Sequence, residues 1–144
     1  MPTLNKASLN ALKILMLGAV LAAAVTFGVS CGKSSTTEPS PNITCSNIPN
    51  PATTFLILNN AVCPTSLTVA RGSRVTFINN DTRVHEMNSD PHPEHTDCPE
   101  LNLVGHLEPG QQRESGNLNI ARRCGFHDHL NENNNALKGS ITIQ

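Results

Sequence analysis

The chain has no tryptophan, no tyrosine and only four phenylalanines in 144 residues. A surface that grips single-stranded nucleic acid by stacking its bases needs such rings, so their scarcity argues against one. Charge is sparse as well: ten Lys and Arg stand against eleven Asp and Glu. Nothing supplies the basic face that a phosphate backbone demands. Beyond the first thirty residues no stretch repeats apolar side chains at helical spacing, which argues against an α-helical core. There is no glycine-rich phosphate cradle and no serine in a nucleophile setting. Cys124 and His127 as a nucleophile–base pair would lack a helix dipole to activate the thiol, so a hydrolase is disfavoured and no enzyme is expected.

What the chain does contain is histidine, six of them, and five cysteines. The densest run is Cys124-Gly125-Phe126-His127-Asp128-His129, a thiol and two imidazoles within six positions. A second run, Asp90-Pro91-His92-Pro93-Glu94-His95-Thr96-Asp97-Cys98, carries two more imidazoles on a loop stiffened by prolines. His85 follows the turn-like Asn79-Asn80-Asp81. Thiolate, imidazole and carboxylate in such density are transition-metal ligands.

Residues 1–30 read as a targeting segment. Lys6 and Lys13 precede an apolar run from Ile14 to Val29, and Ser30-Cys31-Gly32 closes it with small residues. Phe27-Gly28-Val29-Ser30-Cys31 resembles a lipobox, with Gly28 where an aliphatic residue is usual. That resemblance implies an exported lipoprotein, lipidated on Cys31 and held at a membrane in the periplasm or on the cell surface. Residues 31–52, polar and proline-containing, read as a flexible tether. Without residues 1–30, eight basic residues remain against eleven acids, a net charge of −3. Export permits disulfides. With Cys31 given to lipid, Cys45, Cys63, Cys98 and Cys124 allow three complete pairings, and the sequence does not choose among them.

Residues 53–144 read as one all-β domain. Thr54–Leu58, Ser66–Val69, Arg74–Ile78, Leu101–Leu107, Gln112–Ser115, Asn119–Phe126 and Gly139–Ile143 are candidate strands separated by turn signals. Residues 81–100 have no apolar period and read as a long loop, which in a small domain is usually functional. Seven or eight short strands at regular spacing argue a Greek-key β-sandwich.

Within this pattern, residues 66–144 resemble a cupredoxin, the plastocyanin-like kind of small copper protein. Val75-Thr76-Phe77-Ile78-Asn79-Asn80-Asp81 with His85 resembles the family's strand, turn and first ligand. Leu107-Glu108-Pro109-Gly110 resembles its late turn, Cys124-x-x-His127 its second and third ligands, and Leu137-Lys138-Gly139-Ser140-Ile141-Thr142-Ile143 its closing strand. The resemblance implies a copper cofactor, a type 1 site of His85, Cys124 and His127, and transfer of single electrons to a redox partner protein. The family's axial methionine falls at Leu137, which cannot coordinate, so the implied site is three-coordinate or completed by His129.

A second arrangement stays open. If Cys124 forms a disulfide with Cys98, pairing Cys45 with Cys63 leaves no orphan thiol. The metal would then sit among imidazoles, His85, His127 and His129 with His92 and His95 as further candidates, and the protein would be a copper-binding or copper-handling module. Met87 and the lone His106 read as packing or surface residues.

Overall fold

The computed structural model describes residues 39–40 and 42–144. The targeting segment and Cys31 lie outside them. No described helix is long and apolar enough to cross a membrane. The described residues form nine strands in two packed sheets: β1 (Thr54–Leu58), β2 (Ala61–Cys63), β3 (Ser66–Val69), β4 (Thr76–Asn79), β5 (His85–Ser89), β6 (Gly105–Leu107), β7 (Gln112–Glu114), β8 (Arg122–Asp128) and β9 (Gly139–Ile143). The first sheet runs β2-β1-β4-β7 and the second β3-β9-β8-β5-β6. The all-β sandwich expected from the strand spacing is therefore present.

Alternation along the strands makes the core. Phe55 and Ile57 of β1, Phe77 of β4, Cys124 and Phe126 of β8 and Ile141 and Ile143 of β9 all turn into one buried cluster. Three of the four phenylalanines meet at its centre. The rings of Phe55, Phe77 and Phe126 lie 4.8–5.0 Å apart and join the two sheets. At Asn59-Asn60 both residues have positive φ, 52° and 60°, which closes the β1–β2 hairpin in two residues. Asparagine tolerates that backbone, and a two-residue turn of this hand suits the twist of the strands.

Three sequence expectations need correction. The tether does not reach residue 52. Cys45 is disulfide-bonded to Cys63 of β2. Ile43 and Ile48 pack on Leu56 and Ile78, on the outer face of the first sheet. Asn80 donates from Nδ2 to the carbonyls of Ser40 and Ile43. Residues 81–100 are not all loop either, because β5 lies inside them. This strand was illegible because its buried positions include His85, Asn88 and Ser89, which give no apolar alternation. Finally, residues 101–107 begin as a 3₁₀ turn, Pro99–Leu103, and become strand only at Gly105, whose φ of +50° sets the bend.

Candidate metal centre

Strand β8 runs without interruption from Arg122 to Asp128, pairing with β9 on one side and with β5 on the other. Its parity decides the site. Cys124, Phe126 and Asp128 share the core face, and Gly125 and His127 share the outer face. His127 lies opposite Asn88 of β5. One residue past the strand, His129 opens a short 3₁₀ turn, His129–Asn131, which Asp128 caps by accepting from the Leu130 amide.

The loop between β5 and the 3₁₀ turn at Pro99 folds back over the outer face. Its backbone is sewn down at several points. The Asp90 amide donates to the Gly125 carbonyl at 3.0 Å, and the Asp97 amide to the Asp90 carbonyl at 2.8 Å. Asn102 accepts from the Ser89 amide and donates to the His95 carbonyl, both at 2.9 Å. At the far end Cys98 is bonded to Cys124. These ties bring His92 and His95 against His127 and His129.

In the four-histidine group that results, one ligand nitrogen from each ring lies within 4.8 Å of the others. Ring centroids are 4.8–6.4 Å apart. Nitrogens bound tetrahedrally to one ion at about 2.0–2.1 Å stand roughly 3.3 Å from each other, so small side-chain movements suffice to close on an ion. His129 Nδ1 and His95 Nε2 are already 3.2 Å apart. The deepest member is His127, 2% exposed. Its Nδ1 lies 2.7 Å from Asp90 Oδ1, while its Nε2 is buried and has no hydrogen-bond partner. A buried polar atom without a partner is costly, and a metal ion at the cluster would satisfy this one. His92 is oriented from the other nitrogen: its Nε2 lies 2.9 Å from Glu132 Oε2. Burial and the neighbouring imidazoles of His127, His129 and His92 push the pKa of His95 below its ordinary value, against the pull of the Glu86 carboxylate. That favours the neutral ring, the form that binds metals. A cavity of about 410 Å³ opens beside the cluster, with Asp90, His92, His127, Glu132 and Lys138 in its wall.

The trio implied by the resemblance is not brought together. Cys124 is fully buried and bonded to Cys98, so it offers no thiolate. His85 is fully buried on the core face of β5, where its Nδ1 lies 2.9 Å from Asp128 Oδ2. Its Nε2 has only Asp81 Oδ2 nearby, at 3.5 Å, without hydrogen-bond geometry. His127 points to the opposite side of the sheet. Leu137 is a fully buried core residue of a 3₁₀ turn. Of the all-imidazole alternative, His127 and His129 belong to the cluster together with His92 and His95, whereas His85 stays apart. His106 pairs with Glu108 at the surface, and Met87 is packed in the core. The residues that sequence reasoning missed are the carboxylates that set the rings: Asp90 and Glu132 on the clustered His127 and His92, and Asp128 on the separate His85. The signal available was their spacing, each within three residues of a clustered histidine.

No protein-family model and no curated protein matches the chain. Solved structures do. A purple cupredoxin from Nitrosopumilus maritimus superposes with a TM-score of 0.50 at 16% identity, over 64% of this chain and 99% of the other. The oxidised plastocyanin from Dryopteris crassirhizoma gives 0.50 at 21% identity, over 63% and 99%. The fold is that of a cupredoxin. Amicyanin from Paracoccus versutus shares the cupredoxin fold too, with a TM-score of 0.51 at 12% identity over 71% of this chain and 90% of its own.

Proposed function

We propose that this protein is a copper-binding module that holds Cu(II) among His92, His95, His127 and His129, and that it is exported and held at a membrane by a lipid on Cys31. The observation that carries the metal site is His127: its Nε2 is buried, unpartnered and set among three further imidazoles. Copper is favoured over zinc on two grounds. Nitrogen sites of a given geometry bind Cu²⁺ more tightly than Zn²⁺. The proteins that share the fold include a purple cupredoxin and plastocyanin, and amicyanin structures among them are described in the Cu(I) form. Bound copper would supply a Lewis-acid and redox-capable centre. The chain's own part is to hold neutral rings in a fixed array beneath a proline-stiffened loop. The lipid anchor rests on the sequence alone, on Phe27-Gly28-Val29-Ser30-Cys31 and the apolar run Ile14 to Val29 before it.

The test is the absorption and electron paramagnetic resonance of the protein with one equivalent of Cu(II). Expected is a weakly coloured complex with nitrogen ligands, whose affinity falls at least tenfold in His127→Ala and is unchanged in His106→Ala. Failure to bind Cu(II), or equal affinity in His127→Ala, would overturn the site.

The cupredoxin fold itself favours a second reading, a single-electron carrier with Cys124, His85 and His127 as ligands and a redox protein as partner. It requires an open Cys98–Cys124 bond and a strand β8 that ends before His127. An intense thiolate-to-copper band, lost in Cys124→Ser, would carry that reading in place of the first.

A further inference from the structure

Gly125 sits on the outer face of β8 between Cys124 and Phe126, and the absence of its side chain is used. A Cβ built there would come within 2.0 Å of Asp90 Oδ2 and 2.9 Å of Asp90 Cγ. The carboxylate of Asp90 thus occupies the place a side chain at 125 would fill. From that seat Oδ1 reaches His127 Nδ1 at 2.7 Å, two positions along the same face. The Asp90 backbone is fixed on the same strand through its amide, bonded to the Gly125 carbonyl.

We propose that Asp90 is a positioning residue that accepts the Nδ1 proton of His127, and that Gly125 is the seat that lets it do so. This rests on the copper-site reading and deepens it. An imidazole that donates through Nδ1 holds its Nε2 lone pair free and fixed in direction, and that lone pair is what a metal takes. The run Asp90-Pro91-His92-Pro93-Glu94-His95 therefore does two jobs: its imidazoles close the site from above, and its first residue orients the ring below. The Asp90 side chain is 42% exposed, so its free end can swing into solvent when displaced. A methyl at 125 should accordingly remove the orienting contact while leaving the sandwich intact.

The test uses the whole protein. Long-range ¹H–¹⁵N spectra of the metal-free state report the tautomer of His127, and Cu(II) titration reports affinity. Expected is an Nδ1–H tautomer in the wild type, kept in Asp90→Asn, whose amide oxygen still accepts. Asp90→Ala and Gly125→Ala should shift the ring toward the Nε2–H tautomer and lower Cu(II) affinity about 10- to 100-fold, the usual cost of losing such a partner. An Nε2–H tautomer in the wild type overturns the proposal. So does an Asp90→Ala protein of unchanged tautomer and unchanged affinity. If the tautomer behaves as expected but the wild type takes up no Cu(II), the copper reading falls and the orientation of His127 by Asp90 stands. Should Gly125→Ala fail to give a dispersed spectrum, the two Asp90 variants still decide.

Discussion

Cys124 and His127 stand three residues apart on one strand and point to opposite faces of the sheet. They can serve one metal only where the strand gives way to a loop between them, and here β8 carries its ladder through Asp128. The same parity that separates them gives each its role. Cys124, facing in, bonds to Cys98 and pins the histidine loop. His127, facing out, lies under that loop.

Opening the disulfide should therefore weaken the site without touching a ligand. Cys98 and Cys124 are 26 residues apart in sequence. Closing a loop of that length removes roughly 3–4 kcal/mol of unfolded-chain entropy. The Cys98→Ala/Cys124→Ala double variant is expected to lose about that much stability in denaturant titration. Its Cu(II) affinity should fall while the spectrum of the complex keeps its shape. A changed spectrum would mean that a cysteine had been a ligand.

Leu137→Met discriminates the two copper readings from another direction. At an axial position a new thioether would alter the copper spectrum and the reduction potential. Leu137 is instead enclosed in the core cluster. The substitution conserves volume, so a cost below about 1.5 kcal/mol and an unchanged Cu(II) spectrum are expected.

Acid should act on the metal-free protein in two stages. His95 is held below its ordinary pKa by burial and by its neighbouring imidazoles. The unfolded chain takes up a proton near pH 6.5 that the folded chain resists, so stability declines as pH falls through that value. Asp128 gives the second stage. Burial alone would raise its pKa, but hydrogen bonds from His85, the Glu86 amide and Asn131 outweigh it and hold the carboxyl below the usual range. Asp81 is lowered in the same way, burial being overcome by the amides of Asn60 and Thr82 and by His85. Carboxylates held low contribute stability above about pH 4 and lose it as pH falls further. Melting temperatures between pH 8 and 3 should show both limbs, with the upper one reduced in His95→Ala.

Asp128→Ala should be among the most damaging changes. The Asp128 carboxylate accepts from His85 Nδ1, the amides of Glu86 and Leu130, and Asn131 Nδ2. Each buried donor left without an acceptor costs about 1–3 kcal/mol. A loss of at least about 3 kcal/mol in chemical denaturation is expected, and a loss below about 1 kcal/mol would show that the hub is dispensable.

Much of this was written legibly in the chain. Val69, Phe77 and Ile141 alternate with polar neighbours and mark their strands. Asn59-Asn60 announces its turn. Both histidine runs stand out by density. What the sequence could not show was parity and partnership. Nothing local tells that β8 extends past Phe126, and that fact puts His127 on the face opposite Cys124. His85 looked like a ligand because of the residues before it. Its tertiary environment, two carboxylates inside the sandwich, is made by Asp81 and by Asp128, 43 residues away. Strand β5 hid because a strand that buries polar side chains against partners carries no apolar rhythm.

The chain enters the described region at residues 39–40 and lies, through Ile43 and Ile48, across the outer face of the first sheet. The imidazoles lie on the outer face of the second. Residues 43–48 thus cover the face of the sandwich turned away from the histidines. The Cys45–Cys63 bond ties this segment covalently to β2. The four-histidine group therefore lies on the side of the sandwich away from this segment, with His92 open to solvent.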